Sequence, residues 1–446
     1  MNPLSLLLNN HPKGLQVLFF TELWERFSYY GMRAILILYM IASPQEGGLN
    51  FASPFASIIY GTYTSLVYMT AIPGGFIADN YLGPKLAIII GGSIIALGHL
   101  LLTINTEPFF YSGLIAIVIG TGLLKPSVSS IVGNLYIDNE SKRDSGFIIF
   151  YMGINLGAAL APLVCGFLAQ GNEFKSFLTN CHLDPKMSWH FGFGAAAIGM
   201  ILGLITFIRQ KYLIPDNPVK PSHINLNLPV FTPLTKTETN KLLIIALLFL
   251  FSAMFWAVYE QGGASLNIFA NKYTNCQIGN YNFPPSYLQT FQAVFIIIFA
   301  PLISKLWLHL GNKQPRSQAK FVLGLILLGI GICLMVPASY LALTHKISPL
   351  WIIGCYLFEV LGELCLSPVG LSTVTKLAPA RYVGLVLGIW YLSYALGNFL
   401  AGLWCSLCNI NNPLVYANVF LSMAVSAILA SIILYLLLPL INKLEK

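Results

Sequence analysis

Acidic, basic and aromatic residues lie close together in one short stretch near the start of the chain, TELWERFSYYGMR (21–33). Counted from Glu22, polar side chains follow at offsets of three, four, seven, eight and eleven residues; they are Glu25, Arg26, Tyr29, Tyr30 and Arg33. In an α-helix these offsets fall on one face, which extends about 16 Å at 1.5 Å per residue. Acids and bases so placed can pass protons or hold a charged ligand.

The segments on either side of this stretch, GLQVLFF and AILILYMIA, are apolar, as in a helix that faces lipid. A charged residue in the middle of a membrane helix costs about 2.5 to 3.5 kcal/mol on the insertion scale. We therefore expect these charges to face a cavity or one another. A purely structural salt-bridge ladder remains an alternative, although the two tyrosines and the unequal charge favour a functional face.

Four more charged residues lie inside later apolar segments: Lys125, Glu260, Glu359 and Glu363. Glu359 and Glu363 are four residues apart and share a helix face, where two carboxylates repel unless a proton or a cation neutralises one. Lys125 and Glu260 have no opposite charge on their own helices. We therefore expect their partners to come from other helices.

The composition indicates what holds these residues in place. Apolar residues make up 56% of the 446 and charged residues 9%, whereas soluble domains carry about 25% charge. Helices that cross a bilayer need roughly 20 mostly apolar residues, and twelve such runs begin near Leu15, Phe55, Pro84, Phe109, Asp144, His190, Lys241, Pro285, Ala319, Ser348, Tyr382 and Asn412. The sequence predicts an all-α membrane protein with twelve transmembrane helices.

The positive charges predict the orientation of these helices. Of the 24 Lys and Arg residues, three lie within the predicted spans. If residues 1–14 are cytoplasmic, seventeen of the others lie on the cytoplasmic face and four on the opposite face, Lys175, Lys186, Lys272 and Lys346. The positive-inside rule therefore places both termini in the cytoplasm of a multi-pass plasma-membrane protein. The net charge of +8 reflects topology, and no nucleic-acid partner is expected.

A polar, proline-rich stretch divides the chain into two halves of six helices: 1–208, the cytoplasmic linker 209–241 and 242–446. Two six-helix halves are the layout of the major facilitator fold, whose substrate site lies between the halves. The loop GGFIADNYLGPK resembles a motif of that superfamily, with Gly75, Asp79 and Gly83 in place and Asn80 where a basic residue is usual. The linker is too short and too rich in proline for an extra pair of spanning helices.

No metal or organic cofactor is expected. Four of the eight cysteines lie within apolar helices, where a thiol behaves as a small apolar group. Cys181 and Cys276 are in predicted outside loops, where they could pair, and Cys405 and Cys408 form a C-x-x-C without the further ligands of a zinc site. No histidine accompanies the buried polar residues of predicted helices 1, 4, 7 or 10, which disfavours an enzyme; a transport-dead receptor also remains an alternative.

The segment ELWERFSYYG (22–31) matches in full the E-x-x-E-R-F-x-Y-Y-G motif of the proton-dependent oligopeptide transporter family. The blocks GTGLLKPSVS, FYMGINLGAALAP, FWAVYEQG and GELCLSPVGLS also resemble that family. The resemblance covers both halves. It implies a proton-coupled symporter that imports di- and tripeptides by alternating access, with a peptide and a proton as partners, as a monomer in the lipid bilayer.

The resemblance also implies roles for individual residues. Proton coupling is implied for Glu22, Glu25, Arg26, Lys125 and Glu260, and an outer gate for Arg33 with Glu260. The resemblance implies that the carboxylate of the peptide binds to Arg33 and Lys125 and that the amine of the peptide binds to Glu363. The residues implied to line the peptide pocket are Tyr29, Tyr30, Tyr68, Asn155, Trp256, Gln292 and Trp390. Charges of both signs between aromatic walls suit a zwitterion with variable side chains.

Two positions depart from the family pattern. Gln292 and Ala293 stand where the family commonly has Asn followed by Pro, and Tyr394 stands where Ser is frequent. Since the family Asn helps to bind the peptide amine, selectivity at that end is open. A proton-coupled carrier of another small zwitterionic or anionic solute is therefore the alternative function.

Overall fold

The computed structural model describes residues 11–136, 140–215, 234–379 and 382–445. In these ranges the α-helices are α1 Lys13–Ile41, α2 Ser53–Met69, α3 Ala71–Ile77, α4 Pro84–Leu101, α5 Glu107–Asn134, α6 Glu140–Gln170, α7 Asn172–Asn180, α8 Ser188–Gln210, α9 Lys236–Tyr259, α10 Ser265–Tyr273, α11 Thr290–Leu310, α12 Ser317–Cys333, α13 Met335–Leu341, α14 Leu350–Leu377, α15 Val383–Ser406 and α16 Pro413–Glu445. Two short strands are β1 Gln277–Ile278 and β2 Tyr281–Asn282.

Eleven helical stretches of the described residues are long and apolar enough to cross a membrane. They are Ser53–Leu82, Pro84–Leu101, Glu107–Asn134, Ser145–Gln170, Pro185–Leu213, Lys236–Tyr273, Pro285–Leu310, Ser317–Leu341, Leu350–Leu377, Leu385–Ser406 and Pro413–Leu444. The charged α1 is a further long helix of 29 residues. Each stretch begins within five residues of the predicted start, and the all-α class is confirmed.

The apolar faces of α1 pack against protein. Of its 29 residues, 23 are buried, including the apolar Leu23, Phe27 and Met32 on the faces away from the charges. Apolar flanks do not distinguish lipid neighbours from protein neighbours, because both favour the same side chains. The helix is therefore surrounded by protein along most of its length.

The described chain forms two compact units. Unit 1 comprises the described residues of 1–50, 66–226 and 281–294. Within it α1 packs against α6 and α8, and α5 packs against α3 and α4. A turn at 78–82 joins α3 to α4 and ends at Gly83, whose φ of +73° is a backbone conformation that glycine adopts readily. This conformation explains why the loop motif has a glycine at position 83.

Unit 2 comprises the described residues of 51–65, 227–280 and 295–446. In this unit α12 packs against α14 and α16, and α9 packs against α15 and α16. The units therefore differ from the predicted sequence halves by two exchanged segments, 51–65 and 281–294. Of the predicted linker 209–241, residues 216–233 lie outside the described part of the chain.

Candidate functional site

A buried ion-pair cluster forms on α1 in unit 1. The Nε of Arg26 lies 3.1 Å from Oε1 of Glu22, one helical turn away, and it also donates to the carboxylate of Glu25. All three side chains are at most 6% exposed. The i, i+4 spacing positions the first pair, and the guanidinium carries enough donors to serve two carboxylates.

A close approach of two helix backbones holds α1 in this position. A Cβ at Gly157 on α6 would lie 2.3 Å from the carbonyl oxygen of Leu23, so no larger residue fits there. Small residues at helix interfaces commonly permit such contacts in membranes. The same turn of α6 carries Asn155, which is 4% exposed and donates from Nδ2 to the carbonyl of Tyr151 at 2.9 Å.

Aromatic rings face the cations of unit 1. The Cζ of Arg26 lies 5.3 Å from the ring centroid of Tyr29, and the Nζ of Lys125 lies 3.9 Å from that of Tyr68. Both distances fall within the roughly 6 Å of a cation–π contact. Tyr30 packs edge-on against Tyr29, with ring centroids 5.2 Å apart. Lys125 thus contacts Tyr68 of another helix and interacts electrostatically with Glu22, an opposite charge on α1.

The start of α11 belongs to unit 1 although it lies in the second half of the sequence. Gln289 donates from Nε2 to the carbonyl of Ala34 at 3.4 Å, and Thr290 donates from Oγ1 to the carbonyl of Ala159 at 3.0 Å. These bonds fasten this segment to α1 and α6. They place the half-buried Gln292 in the same unit as Arg33, which is 7% exposed.

Unit 2 contains a second set of buried acids. Tyr259 donates its hydroxyl to Oε2 of Glu363 at 2.5 Å, and Glu260 is near enough to Glu363 to interact electrostatically. Glu260 lies at the point where α9 ends in a 3₁₀ turn. On α14, the thiol of Cys355 donates a hydrogen bond to Oε1 of Glu359, with a distance of 3.5 Å from Sγ to Oε1. Glu359 and Glu363 thus each accept a hydrogen bond from a neutral donor.

Aromatic side chains lie beside the carboxylates of unit 2. Trp256 stacks on Tyr394, with centroids 4.3 Å apart and planes 28° apart, and the hydroxyl of Tyr394 lies 3.3 Å from Oγ of Ser367. Trp390, at 1% exposure, packs edge-on against Phe321 at 6.3 Å. Tyr394 therefore occupies a defined position against Trp256, and a serine there would leave that ring face open.

The sequence-based prediction missed two residues of this second site, Tyr259 and Ser367. Tyr259 immediately precedes Glu260 in the FWAVYEQG block, but its partner Glu363 is more than 100 residues away. Ser367 is one helical turn after Glu363 on α14 and contacts a residue of α15. Helical spacing could have suggested Ser367 as a neighbour of Glu363, whereas no local pattern identifies Tyr259.

The predicted site residues divide between the two units. Unit 1 holds Glu22, Glu25, Arg26, Tyr29, Tyr30, Arg33, Tyr68, Lys125, Asn155 and Gln292. Unit 2 holds Trp256, Glu260, Glu363 and Trp390. The predicted gate pair of Arg33 and Glu260 has one member in each unit and stays a prediction. The eight cysteines are free thiols, and the described residues contain no cluster of three ligands suited to a metal.

Comparison with known proteins gives consistent matches. The sequence matches the family model described as the POT family over residues 85–234 and 210–414. It is 33% identical to the peptide transporter YePEPT of Yersinia enterocolitica, over 97% of this chain and 95% of that protein. It is 34% identical to a di-/tripeptide transporter of Lactococcus lactis, over 86% of each.

A solved structure is similar along nearly the whole chain. A mutant of the peptide transporter POT, crystallised in complex with alafosfalin, gives a TM-score of 0.87 at 36% sequence identity. The match covers 98% of this chain and 97% of that one. The likeness thus extends well beyond the ten-residue motif on α1.

Proposed function

This chain belongs to the POT family, and from that premise we propose that it is a proton-coupled symporter that imports di- and tripeptides by alternating access. As a member of that family it is a membrane transporter and not an enzyme. The predicted major facilitator fold is confirmed by its likeness to the solved transporter. The named relatives that carry peptides support the same cargo here.

The observation that carries the proposal is the environment of Glu363. This carboxylate is 9% exposed, accepts a hydrogen bond from the neutral Tyr259 and lies near a second acid, Glu260. A buried carboxylate without full charge compensation favours a cation. The amino terminus of a peptide is such a cation, and it can donate up to three hydrogen bonds.

The other end of a zwitterionic peptide needs a cation, which unit 1 supplies. We assign the peptide carboxylate to Arg33 and Lys125, because a guanidinium and an ammonium are the side chains that bind carboxylates most strongly. Gln292, with Glu363, is assigned to the amine end. The remaining pocket lining is assigned to Tyr29, Tyr30, Tyr68, Asn155, Trp256 and Trp390.

Proton coupling is assigned to Glu22, Glu25, Arg26, Lys125 and Glu260. Protonation of a carboxylate removes its attraction for a neighbouring cation, which frees that cation and shifts the balance between two conformations. The contacts of Arg26 with both glutamates support this role for unit 1. For the outer gate, ionised Glu260 holds Arg33 when the outside is closed, and protonation releases it.

The experiment is uptake into liposomes, driven by an imposed pH gradient, together with counterflow between equal pools of peptide. We expect Glu260→Gln and Lys125→Ala each to abolish gradient-driven uptake, and Glu260→Gln to retain counterflow because exchange needs no net proton movement. Glu107→Gln and Lys346→Ala change exposed charges of the same types and serve as controls. Gradient-driven uptake at the wild-type rate in both test variants would rule out the assigned coupling roles.

The cargo is tested separately with the wild-type protein. Unlabelled di- and tripeptides should compete for uptake of a labelled dipeptide, whereas free amino acids and simple anions should not. Failure of every peptide to compete would remove the peptide assignment and leave the transporter assignment intact.

The topology belongs to the same proposal. Seventeen Lys and Arg residues on one predicted face against four on the other support cytoplasmic termini. We further propose a monomer in the bacterial inner membrane, with halves 1–208 and 242–446 joined by a cytoplasmic linker at 209–241. Labelling of cysteines introduced near Lys443 and Lys346 from outside intact cells tests the orientation, and only the second should react.

A further inference from the structure

A cleft in unit 2 carries three cations on the face predicted to be cytoplasmic. It measures about 490 Å³ and lies between the turn Gly311–Lys313, the start of α12 and the last turns of α14. Its basic lining residues are Arg316, Lys320 and Lys376. The volume falls within the range of about 300 to 1,000 Å³ found for small-molecule sites.

Lys320 shows that this cleft differs from an ordinary charged surface. It is 8% exposed, its Nζ lies 4.4 Å from the ring centroid of Trp307, and it donates to Oε1 of Gln314 at 2.9 Å. Burial of an ammonium group is costly unless charge compensates it. Both contacts are neutral, so the protein holds a positive charge in the wall of the cleft.

The other two cations approach from different elements. Arg316 precedes α12 and donates from one terminal nitrogen to Oδ1 of Asn442 at 3.0 Å, which restrains its guanidinium. Lys376 comes from the last turn of α14. Among the described residues none of the three pairs with a carboxylate, and no carboxylate lines the cleft.

We propose that this cleft binds a phosphate-bearing anion, supplied either by the headgroup of an anionic phospholipid or by a soluble phosphate. Arginine matches the geometry of phosphate oxygens through two parallel N–H donors, and the two ammonium groups add charge. The hydroxyls of Ser317 and Ser372, which also line the cleft, can donate further hydrogen bonds. Basic pockets between membrane helices on the cytoplasmic side bind lipid headgroups in this way.

Membrane topology alone does not account for the arrangement. The positive-inside rule is satisfied by exposed cations such as Arg209 and Lys443. It needs no buried lysine and no cleft shared between two helices. An anion in the cleft would bridge the segment before α12 and the last turns of α14, the helix that also carries Glu363.

The test measures ligand binding to the purified full-length protein. The probes are mixed micelles of phosphatidylglycerol, mixed micelles of phosphatidylcholine and inorganic phosphate, each titrated at constant ionic strength. Thermal melting gives the apparent affinity, and native mass spectrometry counts retained lipids. The variants are Lys376→Gln, Arg316→Gln/Lys376→Gln and the matched control Arg209→Gln/Lys443→Gln, which removes the same charge types from exposed positions.

We expect the affinity for the anionic probe to fall about fivefold per removed cleft charge, and about 25-fold for the double variant, at about 1 kcal/mol per charge. The control should bind as the wild type does. Binding of phosphatidylglycerol alone identifies a lipid headgroup, and binding of inorganic phosphate identifies a soluble source. If the double variant does not fold, Lys376→Gln decides. The proposal is overturned if the test and control variants bind the anionic probe equally well. It is also overturned if phosphatidylcholine binds as well as phosphatidylglycerol, or if neither phosphatidylglycerol nor inorganic phosphate binds.

Discussion

The buried acids of unit 1 and unit 2 are stabilised in different ways. In unit 1, Glu22 and Glu25 both contact the guanidinium of Arg26. In unit 2, Glu363 accepts from the hydroxyl of Tyr259 and Glu359 from the thiol of Cys355. The contacts in unit 1 thus pair acid with base, whereas Glu363 in unit 2 is held by a neutral donor.

Under the proposed function, this difference suggests that the acids of the two units have different roles. A carboxylate that is already paired with a cation changes its contacts when it gains a proton, which suits coupling. A carboxylate held by a neutral donor can accept an additional cationic ligand without first losing an ion pair, which suits recognition of an amine. The comparison therefore makes different predictions for substitutions in the two units.

The largest effect is expected from Arg26→Gln. Removing one partner of a buried ion pair leaves uncompensated charge and typically costs about 3 to 5 kcal/mol of stability. In this variant two buried carboxylates, Glu22 and Glu25, lose their cation. We expect a large drop in melting temperature in detergent and no pH-driven uptake. The double variant Glu25→Gln/Arg26→Gln removes one acid with the base and should recover part of the stability. If Arg26→Gln alone is as stable as the wild type, the acids of unit 1 do not depend on Arg26 for their stability.

A smaller effect, confined to recognition, is expected from Glu363→Gln. A hydrogen bond to a charged group contributes about 1.5 to 3 kcal/mol, so affinity for a free dipeptide should fall roughly tenfold to a hundredfold. Affinity for an N-acetylated dipeptide should change little, because that ligand lacks the ammonium. Competition binding in detergent measures both.

The neighbouring Tyr259→Phe serves as the matched variant in unit 2. It removes the hydrogen bond to Glu363 but keeps the carboxylate that binds the amine, so the affinity for a free dipeptide should fall by less than in Glu363→Gln. Equal losses for free and acetylated peptides in Glu363→Gln would show that Glu363 does not bind the amine.

A change in selectivity is expected from Tyr394→Ser. The substitution removes the Tyr394 ring that stacks on Trp256 and leaves space for an aromatic side chain of the peptide. A pair of aromatic rings contributes about 0.5 to 1.5 kcal/mol. The affinity ratio of Phe-containing to Ala-containing dipeptides should therefore rise by about 2- to 12-fold. Tyr391→Ser, on the same helix at an exposed position, is the control. An unchanged ratio would mean that Tyr394 does not limit the pocket.

The smallest effect is expected outside both sites, at His11. Its ring nitrogen lies 2.7 Å from the hydroxyl of Tyr136, and burial together with the nearby Lys142 lowers the pKa of His11 below 6.5. The folded state thus binds fewer protons at this residue, and its stabilising contribution is present above pH 6.5 and lost as pH falls through the lowered pKa.

His11→Asn should therefore flatten the loss of stability below pH 6.5, with a change in Tm of less than about 2 °C. The pH dependence of uptake should stay the same. A shifted uptake profile would place part of the proton coupling outside the two buried sites.

Local periodicity explains what the sequence alone could predict. The twelve helices follow from hydropathy over roughly 20 residues, and the face shared by Glu22, Glu25 and Arg26 follows from helix geometry. The contacts of Glu363 with Tyr259 and of Lys125 with Tyr68 join different helices, so their geometry depends on packing. Hydropathy also left open whether lipid or protein surrounds α1, because both environments favour the same side chains.

The charged interior of α1 also has a consequence for how the protein reaches the membrane. Glu22, Glu25, Arg26 and Arg33 all lie on this helix, and a single charge at the centre of a membrane helix costs about 2.5 to 3.5 kcal/mol, so inserting α1 alone is costly even though Arg26 pairs with both glutamates. The helices that bury α1, α6 and α8, are synthesised more than 100 residues later. During synthesis we therefore expect α1 to stay beside the insertion machinery until these partners arrive, and to settle in the bilayer only together with them.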